Sequence, residues 1–122
     1  MIQITAVAFT GYPVTDMTRA RAFYESILGL KPAMVDTAWV EYEIGPAVLA
    51  ISNIAPEWKP SNQGPTIALE VANFETAVQH LRDQKVRITV EPFASPVCRM
   101  CIISDPDGNS VTIHKRNETG CD

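Results

Sequence analysis

The stretch Cys101-Ile-Ile-Ser-Asp-Pro-Asp-Gly-Asn-Ser-Val-Thr-Ile-His114 sets two apolar runs on either side of a tight turn. In Asp105-Pro-Asp-Gly108, Pro106 holds φ near the value that the first central turn position needs. The Asp105 carboxylate can accept from backbone amides, and Gly108 tolerates positive φ. The stretch therefore reads as a β-hairpin. Downstream, Ser110, Thr112 and His114 alternate with Val111 and Ile113, the period-2 pattern of a strand with one apolar and one wetter face. Function is sought on the wetter face.

Upstream of the hairpin, Thr66 to Val71 reads as a strand, and Asn73 caps a helix from Phe74 to about Gln84. Strands near Val86 to Val90 and Val97 to Ser104 follow. The first half of the chain repeats this order. Ile2 to Val14 reads as a strand, with Gly11 and Pro13 marking an edge or a bulge near its end. Thr15 or Asp16 caps a helix from Met17 to Leu28, whose apolar positions 17, 20, 24, 27 and 28 form one stripe, and Gly29 ends it. Three strands follow, at Ala33 to Val35, Ala38 to Ile44 and Ala47 to Ser52, with Gly45-Pro46 as a turn. Residues 53–65 hold three prolines and no periodicity and read as a linker.

The junction Val14-Thr-Asp-Met-Thr-Arg-Ala20 matches Val71-Ala-Asn-Phe-Glu-Thr-Ala77. The expected fold is α+β: two βαβββ modules, about 1–52 and 66–116, in a single domain over 1–122. They would form a cupped mixed β-sheet with the helices on the convex side. The concave faces could then enclose a pocket.

Composition narrows the classes of partner. A chain of 122 residues with 46% hydrophobic content can bury one core without disulfide or metal staples. A net charge of −4 works against nucleic acid and anionic membranes. No apolar run approaches the length of a membrane span, and MIQITAVAF lacks the basic region of a signal peptide, so a cytoplasmic location is expected. Cys98 and Cys101, three apart on a strand, point to opposite faces, which suits reduced thiols rather than a disulfide or a metal knuckle. Cys121 falls in a polar tail that is expected to be disordered.

Three segments carry a family resemblance: Val14-Thr-Asp-Met-Thr-Arg-Ala-Arg-Ala-Phe-Tyr-Glu-Ser-Ile-Leu-Gly-Leu30, Ile67-Ala-Leu-Glu-Val71 and Asp105-Pro-Asp-Gly-Asn109. Through them nearly the whole chain resembles the vicinal oxygen chelate superfamily of glyoxalases, extradiol dioxygenases and bleomycin resistance proteins. Enzymes of that superfamily usually hold a divalent metal with His or Gln on each module's first strand and Glu on its last. Counted from the motifs, the four slots fall on Phe9, Ala50, Thr66 and Thr112. Phe and Ala cannot coordinate, and neutral hydroxyls are poor donors beside imidazole or carboxylate. The expectation is a protein without metal or other cofactor.

Extending the alternation from these slots puts Val7, Phe9, Gly11, Trp39, Glu41, Glu43, Val48, Ala50 and Ser52 on one concave face. Thr66, Ala68, Glu70, Cys98, Met100, Ile102, Ser110, Thr112 and His114 fall on the other. The ligand-binding candidates are Phe9, Trp39, Glu41, Ala50, Thr66, Cys98, Met100, Thr112 and His114. Each also has an ordinary reading. His114 can be a hydrogen-bonded histidine at a strand end, Cys98 a small buried apolar residue, and the glutamates solvated at a sheet rim. Trp39 and Trp58 can stack on a flat ligand, or close the core and pin the linker. His80 reads as a surface residue.

Two functions follow. One is a metal-free, bleomycin-resistance-like homodimer binding a small, uncharged or cationic organic molecule in a sheet-lined cavity. The other is a lyase, isomerase or dioxygenase-like enzyme with an atypical site, using Cys98 as nucleophile with His114, or Glu70 or another glutamate as base. A thiol within hydrogen-bond reach of His114 or Glu70 would favour the enzyme.

Overall fold

The computed structural model describes residues 1–117, so Cys121 and its tail lie outside the described residues. The chain divides into two compact units, Met1–Pro60 and Ser61–Asp122, with the boundary inside the expected linker. Each unit carries a four-stranded mixed sheet and one helical segment.

In the first unit, β1 (Thr10–Pro13) leads into α1 (Met17–Arg21), followed by β2 (Pro32–Val35), β3 (Trp39–Ile44) and β4 (Ala47–Ser52). The sheet order is β1-β4-β3-β2, with β1 parallel to β4 and the other pairs antiparallel. Asp16 supplies the N-cap by accepting from the Arg19 amide at 3.0 Å. After Arg21 the helix widens into a π-helical segment, Ala22–Ile27, in which the Leu28 amide reaches back to the Phe23 carbonyl. Gly29 then turns the chain at φ +78°. Tyr12, Val40, Tyr42, Leu49 and Ile51 are buried on one sheet face, and Ala20, Phe23 and Tyr24 supply the buried side of the helix, with Tyr24 stacked on Tyr42.

The expected first strand is largely absent, because only Thr10–Pro13 pairs out of the predicted Ile2–Val14. Pairing places Thr10 opposite Leu49, and β4 begins two residues earlier at Ala47. Parallel pairing with β4 therefore has no partners for residues before Ala8. Ile2, Ile4 and Val7 are correspondingly exposed.

The second unit repeats the topology with β5 (Ile67–Glu70), α2 (Phe74–Asp83), β6 (Ile88–Ala94), β7 (Cys98–Ser104) and β8 (Ser110–Arg116), in the order β5-β8-β7-β6. Asn73 caps α2 by accepting from the Thr76 amide at 2.9 Å. At its other end the Val86 amide bonds the Leu81 carbonyl and the Lys85 amide the Arg82 carbonyl, a Schellman closure with Lys85 at φ +60°. Phe74, Val78 and Leu81 are the buried residues of α2, and Cys101, Ile103, Val111 and Ile113 are buried on one face of the sheet.

The strand expected at Val86–Val90 lies instead at Ile88–Ala94. It forms the sheet edge and slips register twice against β7, so Pro92 is accommodated where an internal strand would lose a ladder bond. The turn at the centre of the hairpin forms from its own side chains. Asp105 Oδ1 accepts from the Asp107 and Asn109 amides at 2.9 and 2.8 Å, and Gly108 adopts φ +93°. Asn109 Oδ1 accepts from the Ser61 amide at 3.1 Å, which ties the end of the linker to this turn. Among the described residues no helix is long and apolar enough to cross a membrane.

Candidate functional site

Strand register decides which side chains share a face, since directly paired residues point the same way. In the first unit, Gly11 pairs with Ala50 and Ala50 with Glu41, while Ser52 pairs with Trp39 and Val48 with Glu43. These residues alternate with Tyr12, Leu49, Ile51, Val40 and Tyr42, a set that faces the helical segment, where Tyr24 stacks on Tyr42. The face they occupy is therefore the one opposite the helix.

Three aromatic rings gather on that face. Phe9 and Trp39 meet edge to face, with centroids 5.0 Å apart and planes at 88°. Trp58 comes from the linker, after a turn in which its amide bonds the Ala55 carbonyl. A Cβ on residue 11 would lie 2.8 Å from Trp58 Cη2 and 3.1 Å from Phe9 Cε1, so the rings converge where Gly11 leaves space. Trp39 Nε1 donates to Glu41 Oε2 at 2.8 Å. Ala50 is fully buried, while Phe9 and Trp58 stay partly exposed at 42% and 36%. Ser52, also buried, donates to the Ala38 carbonyl and accepts from the Ile54 amide, which leaves its hydroxyl satisfied.

The second unit presents the equivalent face. Ala68 pairs with Thr112 and Thr112 with Ile102, while Glu70 pairs with His114 and His114 with Met100. His114 Nδ1 lies 2.6 Å from Glu70 Oε1, and Glu70 Oε2 accepts from the Arg116 amide at 2.7 Å. The Arg116 hydrogen bond, and after it the one to His114, hold the Glu70 carboxyl below the usual carboxylate range. Glu70 is thus not the carboxyl of raised pKa that a buried general base requires.

Cys98 is buried, and its sulfur lies 3.3 Å from Ser95 Oγ. Its register partner is Arg116, two pairs along from Met100–His114, with Arg99–Lys115 between them. Glu70 and His114 come together, whereas the hydrogen bonds of the Cys98 thiol run to Ser95.

The four metal slots are equivalent by register. Phe9 and Thr66 each precede by two residues the partner of the last-strand slot, Gly11 for Ala50 and Ala68 for Thr112. Thr66 Oγ1 lies 3.0 Å from the Ser110 carbonyl and 3.2 Å from Thr112 Oγ1. Thr66 Oγ1 also lies 3.2 Å from the Ile67 carbonyl, so its hydroxyl has two carbonyl acceptors and shares a hydrogen bond with Thr112. A phenyl ring, a methyl group and two committed neutral hydroxyls do not fit the divalent ion that the resemblance implies. Among the described residues, no three His, Cys, Asp or Glu side chains gather elsewhere to hold one.

Trp58 gave no positional signal in the sequence because the linker has no periodicity to assign it a face. The close packing at Gly11 likewise depends on a residue 47 positions away.

The sequence model of the Glyoxalase/Bleomycin resistance protein/Dioxygenase superfamily matches residues 5–113. Among solved structures, the antibiotic-binding protein TnmS3 from Streptomyces sp. CB03234 is similar at a TM-score of 0.78 and 20% identity, over 96% of this chain and 100% of that one. A glyoxalase/dioxygenase from Nostoc punctiforme is similar at 0.74 and 20% identity, over 97% and 100%. A glyoxalase family protein from Bacillus anthracis follows at 0.75 and 18% identity, over 95% and 100%. At these identities the likeness is one of fold. No curated protein sequence matches the chain.

Proposed function

This chain belongs to the glyoxalase/bleomycin resistance protein/dioxygenase superfamily, and from that premise we propose that it is a metal-free member that binds a small organic molecule on a helix-free sheet face. The observation that carries the reading is the convergence of Phe9, Trp39 and Trp58 over Gly11. Partly exposed rings with a few placed polar groups form a surface suited to a flat organic ligand, because each ring buries a large area with few rotatable bonds. TnmS3, an antibiotic-binding protein of the same fold, supports a binding role. On the second unit, Met100 and the Glu70–His114 pair lie on the corresponding face and add a more polar surface for the same purpose.

The enzymatic alternative draws support from the Glu70–His114 contact, which orients an imidazole. It loses support at Cys98, whose thiol is engaged by Ser95 rather than by a base. Binding is therefore preferred. In the same reading residues 1–122 act as one domain, and the protein is a cytoplasmic homodimer. Sedimentation giving a monomer at micromolar concentration contradicts the dimer.

The test is a thermal-shift screen of small organic molecules, run with and without chelator. Ligands that stabilise the native state raise Tm according to their occupancy. The expected result is hits among planar compounds with a Tm that chelator does not change. A Tm lowered by chelator, together with stoichiometric divalent metal retained after dialysis, overturns the metal-free claim.

A further inference from the structure

We infer that the aromatic face of the first unit is a recognition site for an organic cation, with a tertiary or quaternary ammonium group resting on the surface formed by Phe9, Trp39 and Trp58. This rests on the binding role proposed above and adds the charge class of the ligand. Phe9 and Trp39 are in edge-to-face contact with their planes at 88°, and Trp58 packs over Gly11 beside Phe9, so the three rings form one partly exposed aromatic surface. The outward π-faces of such a surface carry partial negative charge, which attracts a cation whose own hydration is weak.

Charge on the same sheet points the same way. The strands Thr10–Pro13, Pro32–Val35, Trp39–Ile44 and Ala47–Ser52 contain no Lys, Arg or His, and their only charged residues are Glu41 and Glu43. Register places both carboxylates on the face that carries the rings. Two carboxylates on this face favour a cation over a neutral ligand lacking a hydrogen-bond donor and repel an anion.

The Trp39–Glu41 hydrogen bond joins the two features. By accepting from Nε1 at 2.8 Å, Glu41 holds the indole in one orientation and pushes electron density into its π-system, which strengthens the pull on a cation. Glu41 Oε1 has no hydrogen-bond partner among the described residues and remains available to the ligand's positive charge. Trp58 comes from the linker, so the site is completed by a segment outside the sheet.

Choline and its neutral isostere 3,3-dimethylbutan-1-ol separate charge from shape. Each is titrated against the full chain while the indole N–H resonances of Trp39 and Trp58 are followed, with 2-naphthol as a neutral planar probe. The expected result is saturable shifts at both indoles with choline, and about tenfold weaker binding of the alcohol. Glu41→Gln and Trp58→Leu should each weaken choline severalfold, and Glu41→Gln keeps the test usable if Trp58→Leu does not fold. Equal binding of choline and the alcohol overturns the cation assignment and leaves the small-molecule reading of this face intact. Shifts with 2-naphthol alone do the same. If none of the three moves either indole, the cation site and the binding role of this face both fall.

Discussion

His114 Nδ1 lies 2.6 Å from Glu70 Oε1, and the two residues are direct register partners on adjacent parallel strands. The carboxylate's other oxygen accepts from the Arg116 amide at 2.7 Å. Of the two contacts the backbone one does more to lower the Glu70 pKa, because an amide dipole fixed in the strand favours the ionised form whatever the state of the imidazole.

Carbon-detected NMR titration should therefore place the Glu70 carboxyl below the ordinary glutamate range, and His114→Gln should leave it there. Since the folded-state pKa is lowered, the carboxylate's contribution to stability is present above the unfolded value and is lost as pH falls through the folded one. A Glu70 midpoint that returns to the ordinary range in His114→Gln assigns the effect to the histidine instead.

Local chemistry was legible in the sequence and long-range partners were not. The turn at Asp105–Gly108 and the caps at Asp16 and Asn73 are built by side chains bonding amides within four residues, so their residue types announce them. Strand alternation also carried over, because the two-residue period places Gly11, Ala50 and Glu41 together once the strands pair. The extent of β1 did not, since Ile2 to Val7 have strand-forming side chains but run past the end of β4. Alternation likewise put Glu70 and His114 on one face without showing that they are register partners, a relation between strands 44 residues apart. The π-helical widening after Arg21 had no sequence signal in the apolar stripe that predicted an ordinary helix.

Tyr42 is fully buried and its hydroxyl donates to Glu25 Oε2 at 2.9 Å, while Arg21 Nε donates to the same oxygen at 2.7 Å. Arg21 holds the Glu25 carboxyl below its usual range, and burial, followed by Glu25, pushes the Tyr42 phenol far above its own. Tyr42→Phe should destabilise the chain by about 1–2 kcal/mol in denaturant titration at neutral pH. The Glu25 contribution is present above the unfolded carboxylate value and fades as pH falls through the lowered one. The Tyr42 contribution is complete below the unfolded tyrosine value and fades as pH rises above it. Loss of stability confined to neither limb in the wild-type profile would contradict this arrangement.

Lys85 occupies the left-handed position of the Schellman closure at φ +60°, where a side chain is strained and glycine is not. Lys85→Gly should stabilise the protein by about 0.5–1 kcal/mol despite the added freedom of the unfolded chain, because relief of the Cβ contact outweighs it. A lower Tm in Lys85→Gly would mean that the lysine side chain contributes a compensating interaction.

Asp105 is buried and satisfies the hairpin turn from inside, with Oδ1 accepting from the Asp107 and Asn109 amides and Oδ2 from Asn109 Nδ2 at 2.9 Å. Removing the carboxylate strands these donors out of water, so Asp105→Ala should cost about 3 kcal/mol. Asn109→Ala removes the Nδ2 contact and also the Oδ1 acceptor of the Ser61 amide, which holds the end of the linker. The two variants should therefore differ in where they loosen the chain. In Asp105→Ala, amide exchange should quicken at Asp107 and Asn109, and in Asn109→Ala at Ser61. Because both remove the same Asn109–Asp105 contact, the double variant should cost less than the two single losses added together. Strict additivity would mean that turn and linker are held independently, contrary to the shared role that the geometry gives Asn109.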